Sequence, residues 1–191
     1  MNLNIMFVGV GGQGTLLSSR ILGNAFISEG LDVKVSEVHG MSQRGGSVVT
    51  YVKCGKEVAS PIVEQGDADI ILAFETLEAA RWLKYLKPGG KIIINEQQID
   101  PMPVITGVAE YPENILEKIG DITKNVVSIN ALSLAVQAGS SKAVNVVMIG
   151  AMAKFIGLSK ELLEKSLKKT VPGKFLEMNK KAFDYGYNAI N

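Results

Sequence analysis

Two glycine-rich stretches hold the residue types best suited to chemistry. Residues 9–14 read Gly-Val-Gly-Gly-Gln-Gly, and residues 39–46 read His-Gly-Met-Ser-Gln-Arg-Gly-Gly. The first has GxGxxG spacing. Gly9, Gly11, Gly12 and Gly14 let the backbone turn sharply and come close to a ligand. A helix starting just after them offers free N–H groups and a positive dipole end to an anion. The second stretch carries the chain's one His, His39, and one of its three Arg residues, Arg44. With Gly45 and Gly46 behind it, Arg44 can present its planar fork to a phosphate or carboxylate unobstructed. His39 sits beside a glycine with no Asp, Ser or Cys neighbour, so no triad can be built from sequence. A loop-stabilising hydrogen bond and a functional role both remain open for it.

The elements around these stretches must hold them in place. An apolar run over 3–10 predicts a strand, and Leu17, Ile21, Leu22, Ala25 and Phe26 share one face of a helix predicted over 15–28, closed by Gly30. A strand over 32–38 follows. Both glycine stretches then leave the C-terminal edge of one sheet, where open α/β sheets bind ligands. The β-branched run 47–52 reads as a strand, 54–56 as a turn and 57–63 as a strand pairing back in a hairpin. Residues 68–74 are nearly all apolar, as in a strand covered on both faces. A helix over 76–86 is stopped by Pro88-Gly89-Gly90, a strand follows over 91–95, 100–103 is a loop, and 112–119 a short helix. Beyond these come a strand at 126–130 and helices at 131–138, 143–156 and 159–170. On the 159–170 helix, Glu161–Lys165 and Glu164–Lys168 are spaced to pair. A last helix carries Phe175, Met178, Ala182 and Tyr185 along one side. Alternating strands and helices predict an α/β fold, a three-layer sandwich with a mostly parallel central sheet and a Rossmann-like first βαβ. The whole chain, 1–191, reads as one domain with a helical C-terminal part over about 140–191.

The first glycine stretch alone has three readings. Dinucleotide binding wants an acid near the end of the second strand for the ribose, and Glu37 is roughly in place. ThiF-like or ubiquitin-activating-type enzymes also show GxGGxG, but their Asp at the end of strand two and their downstream Arg-containing ATP motif are not evident. The third reading is a tight turn that only lets the first helix pack on the sheet.

Composition narrows the field. The 191 residues are 47% hydrophobic and 20% charged with a net charge of +1, which gives no electrostatic case for nucleic acid or an anionic membrane. Cys54 is the one cysteine, so the chain makes no internal disulfide and no Cys-rich zinc or iron–sulfur site; no metal site is expected, and the count suits a reducing cytoplasm. The N-terminus lacks the basic n-region of a signal peptide. The longest apolar run, 143–158, contains Asn145 and Lys154 and falls short of a membrane span.

Taken together, GVGGQG, a long helix, EVHGMSQRGGSV, a strand and the run Ala-Asp-Ile-Ile-Leu-Ala-Phe-Glu ahead of Pro-Gly-Gly-Lys resemble the γ-type subunits of the 2-oxoacid:ferredoxin oxidoreductases. The form His-Gly-Met-Ser-Gln-Arg-Gly-Gly is similar to that of the indolepyruvate branch. The pyruvate and 2-oxoglutarate enzymes tend to carry a Tyr-Gly-Pro-type sequence before Arg-Gly-Gly. The resemblance spans essentially the whole chain, and its specific part is the two glycine stretches. It implies a subunit, inactive alone, of a complex that oxidatively decarboxylates a 2-oxoacid to an acyl-CoA and passes electrons to ferredoxin. Thiamine diphosphate, magnesium and [4Fe-4S] clusters would lie in a large α subunit, and this chain would complete the active site on the coenzyme A side. Carried over residue by residue, the site comprises Gly9, Gly11, Gly12, Gln13 and Gly14 in the first stretch. In the second it comprises His39, Gly40, Ser42, Gln43, Arg44, Gly45 and Gly46. Glu75 and Asn130 are weaker candidates at the same edge, and Glu75 also reads as a helix N-terminal acid favoured by the dipole.

Overall fold

This computed structural model describes residues 1–39 and 46–190, with His39 described by its backbone alone. Six strands form one sheet: β1 (Leu3–Val10), β2 (Asp32–His39), β3 (Ser47–Gly55), β4 (Ala68–Ala73), β5 (Leu86–Asn95) and β6 (Val126–Ile129). Their order is β2-β3-β1-β4-β5-β6. The pairs β1–β4, β4–β5 and β5–β6 are parallel, whereas β3 runs antiparallel to both β1 and β2. Five strands therefore share a direction. The first βαβ keeps its strand–helix–strand order, but β3 lies between its two strands. The chain crosses from His39 to Ser47 in too few residues for a crossover, and so short a connection joins antiparallel neighbours.

Alternation along the strands divides the core. Ile5 and Phe7 of β1, Ile70 and Leu72 of β4 and Ile93 of β5 face one helical layer. Met6, Val8, Ile71, Ala73, Ile92 and Ile94 face the other. The first layer holds α1 (Thr15–Ser28), α5 (Ala131–Ala138), α6 (Val144–Ile156), α7 (Lys160–Thr170) and α8 (Leu176–Asn188). The second holds α2 (Thr76–Trp82) and α4 (Ile115–Ile122), while α3 (Met102–Ile105) is a single turn on the surface. The result is the expected three-layer sandwich with a mostly parallel sheet.

Several local expectations change. Residues 57–63 form no strand, because β1 and β2 already occupy both edges of β3 and Pro61 has no N–H to donate. Their cover of the sheet is instead anchored by buried Val63 and by the Val58 N–H donating to Asp32 Oδ2 at 2.9 Å. The helix after β4 ends at Trp82 and continues as a 3₁₀ turn, Leu83–Tyr85. Pro88-Gly89-Gly90 does not precede β5 but lies within it. Pairing runs from Ala68↔Leu86 to Ile70↔Lys91, so the extra residues bulge out, with Gly89 at φ 78°. The short fourth helix starts at Ile115 rather than Pro112, because Asn114 caps it from a left-handed conformation, φ 57°.

On α7, Glu161 accepts the Ser159 hydroxyl at 2.9 Å, and Glu164 faces Lys160 at 3.7 Å. Lys160 also reaches Asp184 at 2.6 Å, and that contact chiefly pushes its pKa up. On α8 the buried residues are Asn179, Ala182, Phe183 and Gly186, while Tyr185 stays largely exposed and Phe175 sits in the preceding 3₁₀ turn. The reason is a backbone-to-backbone crossing with α6. A Cβ on Gly186 would lie 1.9 Å from the Val147 carbonyl oxygen, and one on Gly150 would lie 2.1 Å from that of Phe183. Among the described residues no helix is long and apolar enough to cross a membrane.

Candidate functional site

The first glycine stretch joins β1 to α1 at the C-terminal edge of the sheet, turning through Gly12 (φ 102°) and Gly14 (φ 83°). Gln13 closes the turn. Its Oε1 accepts the Val10 N–H at 2.7 Å, and its Nε2 donates to the Phe74 carbonyl at 2.9 Å. Gly9 is a packing requirement of this clasp, since a Cβ there would come within 2.6 Å of Gln13 Oε1. Behind Gly14 lies Asn145, which is 3% exposed and donates to the Gly14 carbonyl at 3.4 Å. Gly12 has open space where a Cβ would lie, and Gly11, Gly12 and Gly14 line pockets beside the turn.

The two glycine stretches meet. The Gly11 N–H donates to the Gly46 carbonyl at 2.9 Å, and Val10 pairs with Ser47 where β3 begins. His39 pairs with Val48 at the end of β2. The expectation that residues 9–14 and the ends of 39–46 share one sheet edge is met. Gly40, Ser42, Gln43, Arg44 and Gly45, and the His39 side chain, lie outside the described residues.

Two open pockets flank the first turn. One of about 400 Å³ is lined by Gly11, Gly12, Gly14, Thr15, Leu16, Glu37 and Val48. Glu37 faces it with Oε2 accepting from Thr50 Oγ1 at 3.2 Å and Thr15 Oγ1 at 3.5 Å. A carboxylate therefore already sits at the N-terminus of α1, a position its dipole favours. The other pocket, of about 470 Å³, is lined by Gly12, Gln13, Gly14, Gln97, Ser141 and Lys142, with Leu132 and Val144. It brings a cation and amide donors beside the same helix terminus and has no carboxylate in its lining. An anion is better matched on this side.

The weaker candidates Glu75 and Asn130, together with Glu78 and Asn95, which were not singled out from sequence, brace this edge. Glu75, 1% exposed, N-caps α2 by accepting the Glu78 N–H at 2.8 Å. It also accepts the Ile99 N–H at 3.1 Å and the Tyr111 hydroxyl. The helix-cap reading of Glu75 is the one realised. Glu78, 2% exposed, accepts from Ser47 Oγ at 2.5 Å, Arg81 at 2.6 Å and Trp82 Nε1 at 3.2 Å. One turn of helix thus ties the start of β3 to the segment after β5. Buried Asn95 donates to the Phe74 carbonyl at 3.0 Å and accepts the Ala131 N–H at 3.1 Å. Its position closing the apolar run Ile92-Ile93-Ile94 was the one signal available in sequence. Asn130 is exposed and N-caps α5 through the Ser133 N–H at 2.9 Å.

Burial, and then the bond to Glu75, push the Tyr111 phenol up to about 12 from an ordinary value near 10. The folded state thus holds this proton more tightly than the unfolded chain. Its contribution to stability is complete below pH about 10 and is lost as pH rises towards 12. Ultraviolet titration should show a tyrosine ionising at about 12 that is absent in Tyr111→Phe, while the Tyr51 phenol, also raised by burial, remains. That variant should lose about 1–3 kcal/mol of stability at neutral pH, because Glu75 loses a donor in a buried site. A titration unchanged by the substitution would contradict the contact.

A family model described as pyruvate ferredoxin/flavodoxin oxidoreductase matches residues 4–189. The chain belongs to this family. Among its relatives, indolepyruvate oxidoreductase subunit IorB of Pyrococcus horikoshii is 43% identical over 193 aligned residues, covering 97% of this chain and 95% of that one. The keto/oxoacid ferredoxin oxidoreductase γ subunit of Geobacter sulfurreducens superposes with a TM-score of 0.71 at 26% identity, covering 97% of this chain and 96% of that one. The 2-oxoglutarate:ferredoxin oxidoreductase of Magnetococcus marinus shares the fold with a TM-score of 0.73 at 23% identity. There the fold covers 100% of this chain but 32% of the other. The expected family and fold therefore stand. The one cysteine of this chain, Cys54, is buried in β3 with burial pushing its thiol pKa up, and among the described residues no three His, Cys, Asp or Glu side chains converge.

Proposed function

We propose that this chain is the small subunit of a cytoplasmic 2-oxoacid:ferredoxin oxidoreductase of the indolepyruvate or aryl-pyruvate type. The near full-length likeness to the Pyrococcus subunit carries this reading. The complex converts a 2-oxoacid, coenzyme A and two oxidised ferredoxins to an acyl-CoA, CO₂ and two reduced ferredoxins, releasing a proton. A large partner subunit holds thiamine diphosphate, magnesium and the [4Fe-4S] clusters, and the electrons leave through it. This chain supplies a wall of the site and the coenzyme A side. Its glycine turn presents the backbone of Gly11, Gly12 and Gly14, Lys142 and Gln97 offer donors to coenzyme phosphates, and Arg44 grips a phosphate or the oxoacid carboxylate. The disposition of charge around the turn, Glu37 on one side and Lys142 on the other, supports placing the anion on the Lys142 side.

The test is reconstitution. The chain purified alone should show no visible absorbance and no 2-oxoacid oxidation. Mixed with its large subunit, it should restore CoA-dependent reduction of ferredoxin with an aryl-pyruvate. Turnover or cluster absorbance in the isolated chain would overturn the proposal, as would full activity of the large subunit without it.

A further inference from the structure

Between β5 and α4 the chain leaves the sheet's C-terminal edge and displays three large apolar side chains to solvent. Met102 and Ile105 are each 64% exposed and Val108 is 81% exposed. The display is built rather than loose. Pro101 precedes the single turn α3, the Thr106 hydroxyl donates to the Met102 carbonyl at 2.9 Å, and the Val108 and Ala109 N–H groups donate to that of Pro103 at 2.8 and 3.0 Å. Solvent does not reward such a display, and rigid apolar knobs of this kind mark interaction sites. Charge says what covers it. From Lys91 to Lys118 there is no intervening Lys or Arg but five acids, among them the exposed Asp100, Glu110 and Glu113.

We infer that this knob is the docking surface for the large partner subunit, where it meets an apolar socket rimmed by basic residues. The inference rests on the proposed function for the existence of that subunit and goes further by naming the surface and its chemistry. A second copy of this chain is a poor occupant, because a two-fold contact would set the same acids against one another. The chain leading to the knob carries Gln97, which lines a pocket at the glycine turn.

The experiment uses the full chain co-expressed with its large subunit. A triple variant, Met102→Glu, Ile105→Glu and Val108→Glu, should weaken association at least about 100-fold, as loss of a central apolar anchor does. The melting temperature of the chain alone should stay unchanged. Independently, Glu110→Lys with Glu113→Lys should weaken association about tenfold at low salt and much less at high salt. If the wild type associates and both variants bind as well as it does, the docking surface is wrong while the proposed function stands. If the wild type does not associate with the large subunit, both fall. A wild-type homodimer dissolved by the triple variant would assign the knob to self-association and overturn the inference.

Discussion

Replacing Gly186 with alanine should lower stability by about 3 kcal/mol or more, beyond the usual cost of overpacking a core. The added Cβ would sit 1.9 Å from the Val147 carbonyl oxygen, and neither α6 nor α8 has a flexible side chain there to move aside. The helices must separate, which uncovers Phe183, Ala182 and the fully buried centre of α6. For a chain of this length the melting temperature should fall by about 10 °C, at 2–4 °C per kcal/mol. Gly150→Ala meets the Phe183 carbonyl at 2.1 Å and should act alike. The double variant should cost less than the sum, because one displacement relieves both clashes. Gly120→Ala is the control. It lies inside α4 with open space where its Cβ would go, and should stabilise by up to about 1 kcal/mol. Melting curves of the four variants beside the wild type decide the matter, and a Gly186→Ala protein that melts with the wild type would refute the crossing.

Arg44→Ala should cripple the reconstituted complex while the isolated subunit keeps its melting temperature. The sheet on either side of it is held by the His39↔Val48 pairing and by the Gly11 N–H on the Gly46 carbonyl. Losing a fork that grips a phosphate or carboxylate should cost about 2–5 kcal/mol of transition-state binding, as with other close charged pairs truncated on one side. Lysine should recover part of this by keeping the charge without the bidentate geometry. A raised KM for coenzyme A would assign the contact to the coenzyme, and a raised KM for the oxoacid to the substrate carboxylate. Kinetics equal to wild type would remove Arg44 from the site.

Much of this fold was readable because its apolar runs are long and cleanly bounded. Helix α1 begins and ends at the residues its glycines mark, and Gly139 closes α5 as expected. What escaped reading depended on contacts distant in sequence. Nothing near 57–63 reveals that β1, some fifty residues earlier, occupies the edge those residues would have used. Pro88-Gly89-Gly90 carries a breaker's composition, yet pairing with β4 holds the strand together across it. The stripe on α8 holds for Met178 and Ala182 but not for Phe175 and Tyr185, because Gly186 sets the line of closest approach. At the site, the glycines announced the turn. The cap role of Glu75 was legible, but its bonds to Ile99 and Tyr111 and the roles of Glu78 and Asn95 stayed hidden because each takes its meaning from partners on other elements.

The interposed strand β3 has a consequence for how the molecule is made. A βαβ unit whose two strands touch could close as soon as its second strand emerged from the ribosome. Here β1 has no hydrogen-bonded neighbour until β3 has been synthesised. Until then Ile5, Met6, Phe7 and Val8, all wholly buried in the finished protein, have only α1 for cover. The nascent chain thus carries an open, apolar, strand-forming segment until Gly55 has emerged, a natural target for chaperones and a hazard for aggregation. The β2–β3 hairpin, assembled from adjacent residues, is the first piece able to receive it.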